Sequence, residues 1–258
     1  MDLRSLRAFI FDLDGCVYTG NTLVPGVKAF IQELRQKNRR LLFLTNNSRE
    51  AGEELQAKLT RLGIEAAREE ILSAAEIVGP IIRERFGPSR VLAIGSETLR
   101  RLLCEAGHTL LPLEAYRQAG VVVIGHDFEF DYPKLTALCR AVAGGAAFLA
   151  VNRDPRLPVE DGEFFPGCGS IVGAVEAAAG VTPEVVGKPM PHIFRAALAR
   201  LDVRPQDAVM IGDSPISDVQ GAQGVSLKTI WLAPEGASAG AVRPDLTIHH
   251  FSEVSGRL

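Results

Sequence analysis

The feature that most limits how this chain can fold is its rhythm. Short apolar runs of strand length alternate with amphipathic helical patterns almost from end to end. "RAFIFD" reads as a buried strand, and Val27, Phe30, Ile31 and Leu34 come after it at helical spacing. "RLLFLTNN" reads as a second strand, and "REAGEELQAKLTRLG" as a helix closed by Gly63. The middle repeats the rhythm, with strands in "RVLAIGS", "GVVVIGH" and "AAFLAVNRD" and helices in "SETLRRLLCEAG", "YPKLTALCRAVAGG" and "SIVGAVEAAAG". Strands in "EVVGKP", "DAVMIGDS" and a last one in "LKTIWL" flank the helix "HIFRAALARLD". This βαβα order predicts an α/β fold built on a doubly wound parallel sheet. "DPRLPVEDGEFFPGCGS" reads as a Pro/Gly-rich loop, longer than most connections and so functional or mobile.

The strands do not all end alike. Those in residues 1–75 and 183–258 end in Asp, Thr, Asn, Lys or Gly-Asp, whereas those in 76–182 end in Gly, Ser or His. We therefore expect one α/β core, 1–75 and 183–258, with a smaller α/β cap domain, 76–182, inserted in it. The chain has 258 residues, of which 47% are hydrophobic and 23% charged, enough for a sizeable core. A net charge of −3 argues against a nucleic-acid polymer as partner, and no apolar run reaches the roughly 20 residues of a membrane span. The N-terminus makes a poor signal peptide. Cys16, Cys104, Cys139 and Cys168 form no CxxC pair, so neither a disulfide framework nor a zinc site is expected and a cytoplasmic location fits.

In an open parallel sheet, ligands sit beyond the carboxyl ends of the strands. At or just past the ends of the core strands stand Asp12 and Asp14, then Thr45, Asn46 and Asn47, then Lys188 between Gly187 and Pro189, then Asp213 with Asp218 shortly beyond. Residues two apart in an extended chain point the same way, so Asp12 and Asp14 should face one cleft. Two adjacent carboxylates repel each other, and a divalent cation relieves that repulsion. With Asp213 added, the hard oxygen ligands suit Mg²⁺, which commonly also binds substrate phosphate. Lys188 adds positive charge and Thr45 a donor. Asn47 or Ser48 is placed to cap the next helix, whose N-terminus favours an anion. A carboxylate can act as nucleophile toward phosphorus, and the remaining groups supply positioning and charge.

These residues resemble the haloacid dehalogenase superfamily of phosphatases, in its NagD-like, 4-nitrophenylphosphatase-like branch (class IIA, C2 cap). "FDLDGCVYTG", "LFLTNNS", "VGKP" and "IGDSPISD" are similar to its four motifs in order, and "VVIGHDFEFDYPKL", "AVNRDPRLP" and "FFPGCGSIVGAVEAAAG" are similar to its cap. The resemblance spans nearly the whole chain. It implies Asp12 as nucleophile and Asp14 as general acid and then base. It implies Mg²⁺ held by the Asp12 side chain, the Asp14 backbone carbonyl and the Asp213 side chain. Thr45 and Lys188 would hold the phosphoryl group, Asn46 and Asn47 would help bind substrate through side chain or backbone, and Asp218 would orient the lysine or a metal-bound water. Ser217 stands where threonine is more usual in the family.

The expected activity is Mg²⁺-dependent hydrolysis of small phosphomonoesters through an aspartyl-phosphate, the core doing the chemistry and the cap selecting the leaving group. The partner is then a small phosphorylated metabolite, and the sequence leaves open which one, and whether the protein acts as a homodimer. Rivals on the same fold are a carbon–halogen hydrolase, in which Asp14 and Asp213 would be idle, a phosphomutase, and a non-catalytic phosphate-ligand sensor. Cys104 and Cys139 read as core residues, Cys168 as a tight-loop residue, and Cys16 as a small packed residue, its redox activity left open. The roles of His126, Asn152 and Asp154 in the cap stay open between structure and substrate contact.

Overall fold

The computed structural model describes residues 1–158 and 163–258. Along the chain the elements run β1 (Ala8–Asp12), β2 (Tyr18–Thr19), β3 (Thr22–Leu23), α1 (Val27–Gln36), β4 (Arg40–Thr45), α2 (Gly52–Arg61), β5 (Ile71–Ser73) and α3 (Ala74–Phe86). Then come β6 (Arg90–Ile94), α4 (Glu97–Glu105), β7 (Thr109–Leu110), β8 (Val121–Ile124), α5 (Tyr132–Ala143), β9 (Ala147–Ala150), β10 (Arg156–Pro158), β11 (Phe164–Pro166) and α6 (Cys168–Ala179). The last are β12 (Glu184–Val185), α7 (Pro191–Leu201), β13 (Ala208–Gly212), β14 (Lys228–Leu232) and β15 (Leu246–Ile248).

Contacts divide these elements into two compact units. One holds Met1–Thr45, Gly52–Leu72 and Lys188–Leu258, and the other Asn46–Ala51 and Ser73–Gly187. The first is built on a six-stranded sheet of order β15-β14-β13-β1-β4-β5. β1 runs parallel to both β13 and β4, with Phe11 opposite Ile211 and Phe43. As the strand flanked on both sides, β1 is buried throughout, which is why its sequence is a continuous apolar run rather than an alternation. Phe9 and Phe11 share one face and meet Phe30 of α1 edge-on, at centroid distances of 6.1 and 6.2 Å. Phe43 and Phe251 complete the cluster around Phe11, at 5.9 and 6.3 Å. Each such ring contributes about 1.5–3 kcal/mol by leaving water. Val27, Phe30, Ile31 and Leu34, the helical stripe read from the sequence, are the buried face of α1.

The second unit has a five-stranded sheet of order β12-β9-β8-β6-β7, with β8 parallel to β6 and β9. Leu138 and Val142 of α5 and Ile171, Val172 and Val175 of α6 pack in its core with Val122 and Ile124 of β8. Two antiparallel pairs, β2-β3 and β10-β11, complete the pairing. Among the described residues no helix is long and apolar enough to cross a membrane.

Several expectations need correction. The Pro/Gly-rich stretch is not one loop. Arg156–Pro158 and Phe164–Pro166 pair as a ribbon, and its centre, 159–162, lies outside the described residues. Cys168 opens α6 and is buried rather than sitting in a tight loop. Cys104 is exposed and Cys139 half-buried. Leu99 and Leu103 carry the buried face of α4, and Cys104, one residue on from Leu103, is turned about 100° around the axis. β14 is not the last strand, because β15 pairs beyond it. Neither Asn47 nor Ser48 caps α2, which begins at Gly52. The Asn47 Oδ1 instead accepts from the amides of Arg49 at 2.8 Å and Glu50 at 2.9 Å, a local turn.

Candidate active site

Within the first unit the carboxyl ends of β1 and β13 lie side by side, so the residues that leave them meet. Asp12 is the last residue of β1, and Asp213 comes directly after Gly212, the last of β13. Asp218 lies in the next helical turn, Pro215–Gln220. Lys188 enters this unit from the chain beyond β12. Its ammonium donates to Asp12 Oδ1 at 2.6 Å and to Asp218 Oδ1 at 2.7 Å. The backbone amide of Ser214 donates to Asp218 Oδ2 at 3.0 Å. One carboxylate oxygen from each of Asp12, Asp213 and Asp218 lies within 4.8 Å of the others. Asp12, Asp218 and Lys188 are buried and Asp213 is half-buried.

Two glycines make room for this crowd. A Cβ on Gly15 would stand 2.3 Å from Asp213 Oδ2, and the residue has φ +87°, where glycine is favoured. A Cβ on Gly212 would stand 2.2 Å from Asp218 Oδ2. The glycine of "DLDG" is therefore a spacing device as well as a turn. Asp213 is anchored from behind, since the Trp231 indole N–H donates to its backbone carbonyl at 2.8 Å.

The charges do not balance: three carboxylates share one ammonium. Burial, and then the Asp218 carboxylate, push the Asp12 carboxyl well above the usual range, while Lys188 pulls it down. Burial and then Asp218 push Asp213 up to about 6. Burial by itself would lower the Lys188 pKa, but Asp12 and Asp218 outweigh it and raise it, so the ammonium stays charged. Cys16 is fully buried, its Sγ 3.5 Å from the Ile211 carbonyl, and burial followed by the Asp12 charge raises its thiol pKa. A thiol held neutral in this way packs rather than reacts.

The remaining sequence-derived candidates are distributed unequally. Thr45 ends β4 and is buried. Asp14 is exposed and lies outside the oxygen cluster, while its backbone bridges to Tyr18. Among the described residues the cluster of three carboxylates is Asp12, Asp213 and Asp218, so Asp218 joins the Asp12 and Asp213 pair. Asn46 and Asn47 belong by contact to the second unit. There Asn46 Nδ2 donates to the Asp154 carboxylate at 3.2 Å, and Asn47 Nδ2 to Glu50 Oε2 at 2.8 Å. Sequence reasoning misses Ser214, whose amide fixes Asp218 and whose Oγ accepts from the Ser217 amide at 3.1 Å. A serine directly before a proline that opens a helical turn is the signal that marks such a cap.

The site fits a hard divalent cation. Its donors are carboxylate oxygens and they converge, and the Asp12 and Asp213 carboxyls are raised first by burial and then by the neighbouring Asp218 charge, which a cation would offset.

A family model described as haloacid dehalogenase-like hydrolase matches residues 9–109, and a second, described as HAD-hydrolase-like, matches 185–254. An acid sugar phosphatase of Staphylococcus saprophyticus is 33% identical over 257 residues, covering 98% of each chain. Among solved structures, 4-nitrophenylphosphatase from Thermotoga maritima superposes with a TM-score of 0.90 at 27% identity, over 98% of each chain. A glycerol phosphate phosphatase from Mycobacterium tuberculosis in complex with magnesium gives a TM-score of 0.85 at 30% identity, over 97% of this chain and 76% of that one.

Proposed function

This chain belongs to the haloacid dehalogenase-like hydrolase family, and we propose that it hydrolyses small phosphomonoesters with Mg²⁺, through an aspartyl-phosphate on Asp12. The observation that carries this reading is the buried Lys188 ammonium, 2.6 Å from Asp12 and 2.7 Å from Asp218, beside an Asp213 oxygen within 4.8 Å. A binding site for phosphate needs cations and amide donors. It does not need a buried carboxylate held by one oxygen, with the other left to attack.

Asp12, Asp213 and the Asp14 backbone carbonyl are the groups that would hold Mg²⁺, which when bound neutralises carboxylate and phosphate charge together. Lys188 holds Asp12 Oδ1 in place and counters charge on the transferring phosphoryl group. Thr45 donates to that group from the end of β4. An Asp12 oxygen attacks phosphorus, the bond to the ester oxygen breaks, and Asp14 gives the departing alcohol its proton. Asp14 then takes a proton from water, which attacks phosphorus; the bond to Asp12 breaks and inorganic phosphate leaves. The exposure of Asp14 suits this exchange of protons, because its carboxyl must be protonated and deprotonated in each cycle. Asp218, fixed by Lys188 and the Ser214 amide, orients the lysine.

The test is a panel of phosphorylated metabolites, beginning with sugar phosphates and glycerol phosphate. We expect turnover with Mg²⁺, its loss in chelator and its recovery on adding the ion back. Asp12→Asn should lower kcat by about 10⁴-fold or more while the protein stays folded. Turnover by Asp12→Asn near the wild-type rate would remove Asp12 from its role, and full rates in chelator would remove the ion.

A further inference from the structure

The carboxyl ends of β9 and β12 carry a polar ring that the reaction scheme does not use. Asn152 is buried, its Nδ2 donating to the Asn46 carbonyl at 2.7 Å and its Oδ1 accepting from the Asp154 amide at 3.0 Å. Asn46 Nδ2 donates in turn to the Asp154 carboxylate at 3.2 Å. Gly187 closes the ring, its amide donating to the Val151 carbonyl at 2.8 Å. A Cβ on Gly187 would stand 2.5 Å from Asn46 Oδ1 and 2.7 Å from the Val151 oxygen, so Asn46 rests directly on this backbone. Three segments distant in sequence are thus joined by hydrogen bonds that burial makes costly to break.

Two members of the ring are bonded to groups of the reaction scheme. Thr45 precedes Asn46, and Lys188 succeeds Gly187. A trans peptide holds successive Cα atoms about 3.8 Å apart, so fixing the backbone at 46 and 187 restricts Thr45 and Lys188. We propose that Asn152 and Asp154 are positioning residues: by holding Asn46 against Gly187 they fix how Thr45 and Lys188 are spaced around the transferring phosphoryl group. This rests on the phosphatase reading above. It assigns neither side chain to the substrate.

The decisive variant is Asn152→Asp, which keeps the acceptor for the Asp154 amide and removes the donor to the Asn46 carbonyl. Calorimetry measures the affinity of the Mg²⁺-loaded protein for inorganic phosphate, and of the metal-free protein for Mg²⁺. We expect phosphate affinity and kcat/KM to fall together by about tenfold, as misplaced binding groups do. Mg²⁺ affinity should not change, because Asp12 and Asp213 lie outside the ring. Loss of thermal stability with phosphate affinity intact would make the ring a structural brace and overturn the proposal. Should Asn152→Asp fail to fold, the milder Asp154→Asn decides alone: phosphate affinity weakened with Mg²⁺ affinity intact supports the assignment, and unchanged phosphate affinity ends it. A wild-type protein that hydrolyses no phosphoester would sink the phosphatase reading instead, while phosphate affinity across the variants would still be read.

Discussion

The two units carry parallel sheets of the same kind, yet their carboxyl ends are built differently. In the first, β1 and β13 deliver Asp12 and Asp213 to a place where three carboxylates share the Lys188 ammonium. In the second, β6, β8 and β9 lead into Ser96, His126 and Asn152, which hydrogen-bond within the fold, although His126 Nδ1 is buried without a partner among the described residues. Ser96 Oγ accepts from the Leu99 amide at 3.2 Å, the His126 amide donates to Ser48 Oγ at 3.0 Å, and Asn152 holds Asn46. The same backbone geometry thus gives a rim of three clustered carboxylates on one ammonium in one unit, and in the other a rim whose carboxylates are held singly, Asp154 by Asn46 and Asp127 by Lys134. Surplus charge that the fold leaves unbalanced marks where a cation and an anionic substrate belong, because such charge is costly to bury without a partner.

The contrast can be broken by substitution. Lys188→Met should be the most damaging to stability, because it leaves Asp12 and Asp218 buried without their cation. A loss of about 3–5 kcal/mol is expected, read from the denaturant midpoint. An unchanged midpoint would mean that the acids are already protonated and the surplus charge is not real.

A second measurement sharpens the contrast through pH. Asp213 is raised from an ordinary 3.8 to about 6 without metal, so its protonated form is favoured in the fold. Its contribution to the stability of the metal-free protein is present at low pH and disappears as pH rises toward 6. Mg²⁺ competes with that proton, so the gain in Tm on adding Mg²⁺ should grow up to about pH 6 and level off above it. A gain that is flat from about pH 5 to 7 would show that Asp213 is not titrating there.

The smallest effect belongs to the second unit. Ser48→Ala strands the buried His126 amide and should cost about 1–2 kcal/mol in unfolding, with no dependence on Mg²⁺. A metal-dependent loss would blur the division between the two rims.

Much of this was legible in the chain. The strand–helix rhythm places Asp12, Thr45 and Asp213 at the ends of strands of one parallel sheet, which collects such ends on one side; Lys188, expected after a core strand, instead follows β12, which pairs in the second unit's sheet. The Val27, Phe30, Ile31 and Leu34 stripe named the buried face of α1. What the chain alone left unread was whatever depends on a neighbour not yet placed. Asp12 and Asp14 look equivalent two residues apart, but the chain leaves β1 after Asp12, and Asp14 becomes exposed. Asn46 and Asn47 come after a core strand, yet their side chains turn to Asp154 and Glu50. The Pro/Gly-rich run hides the pairing of Leu157 with Phe165, because pairing needs two segments and composition describes one.

Local order along the chain dictated which residues end strands and which helix faces are apolar, since periodicity and backbone sterics act over a few neighbours. Long-range packing alone settled that one ammonium bonds Asp12 and Asp218 at once, that Gly15 must yield space to Asp213, and that Asn152 grips Asn46. Those arrangements depend on distances of a few ångströms between segments far apart in the chain, and such distances exist only once the sheets are assembled.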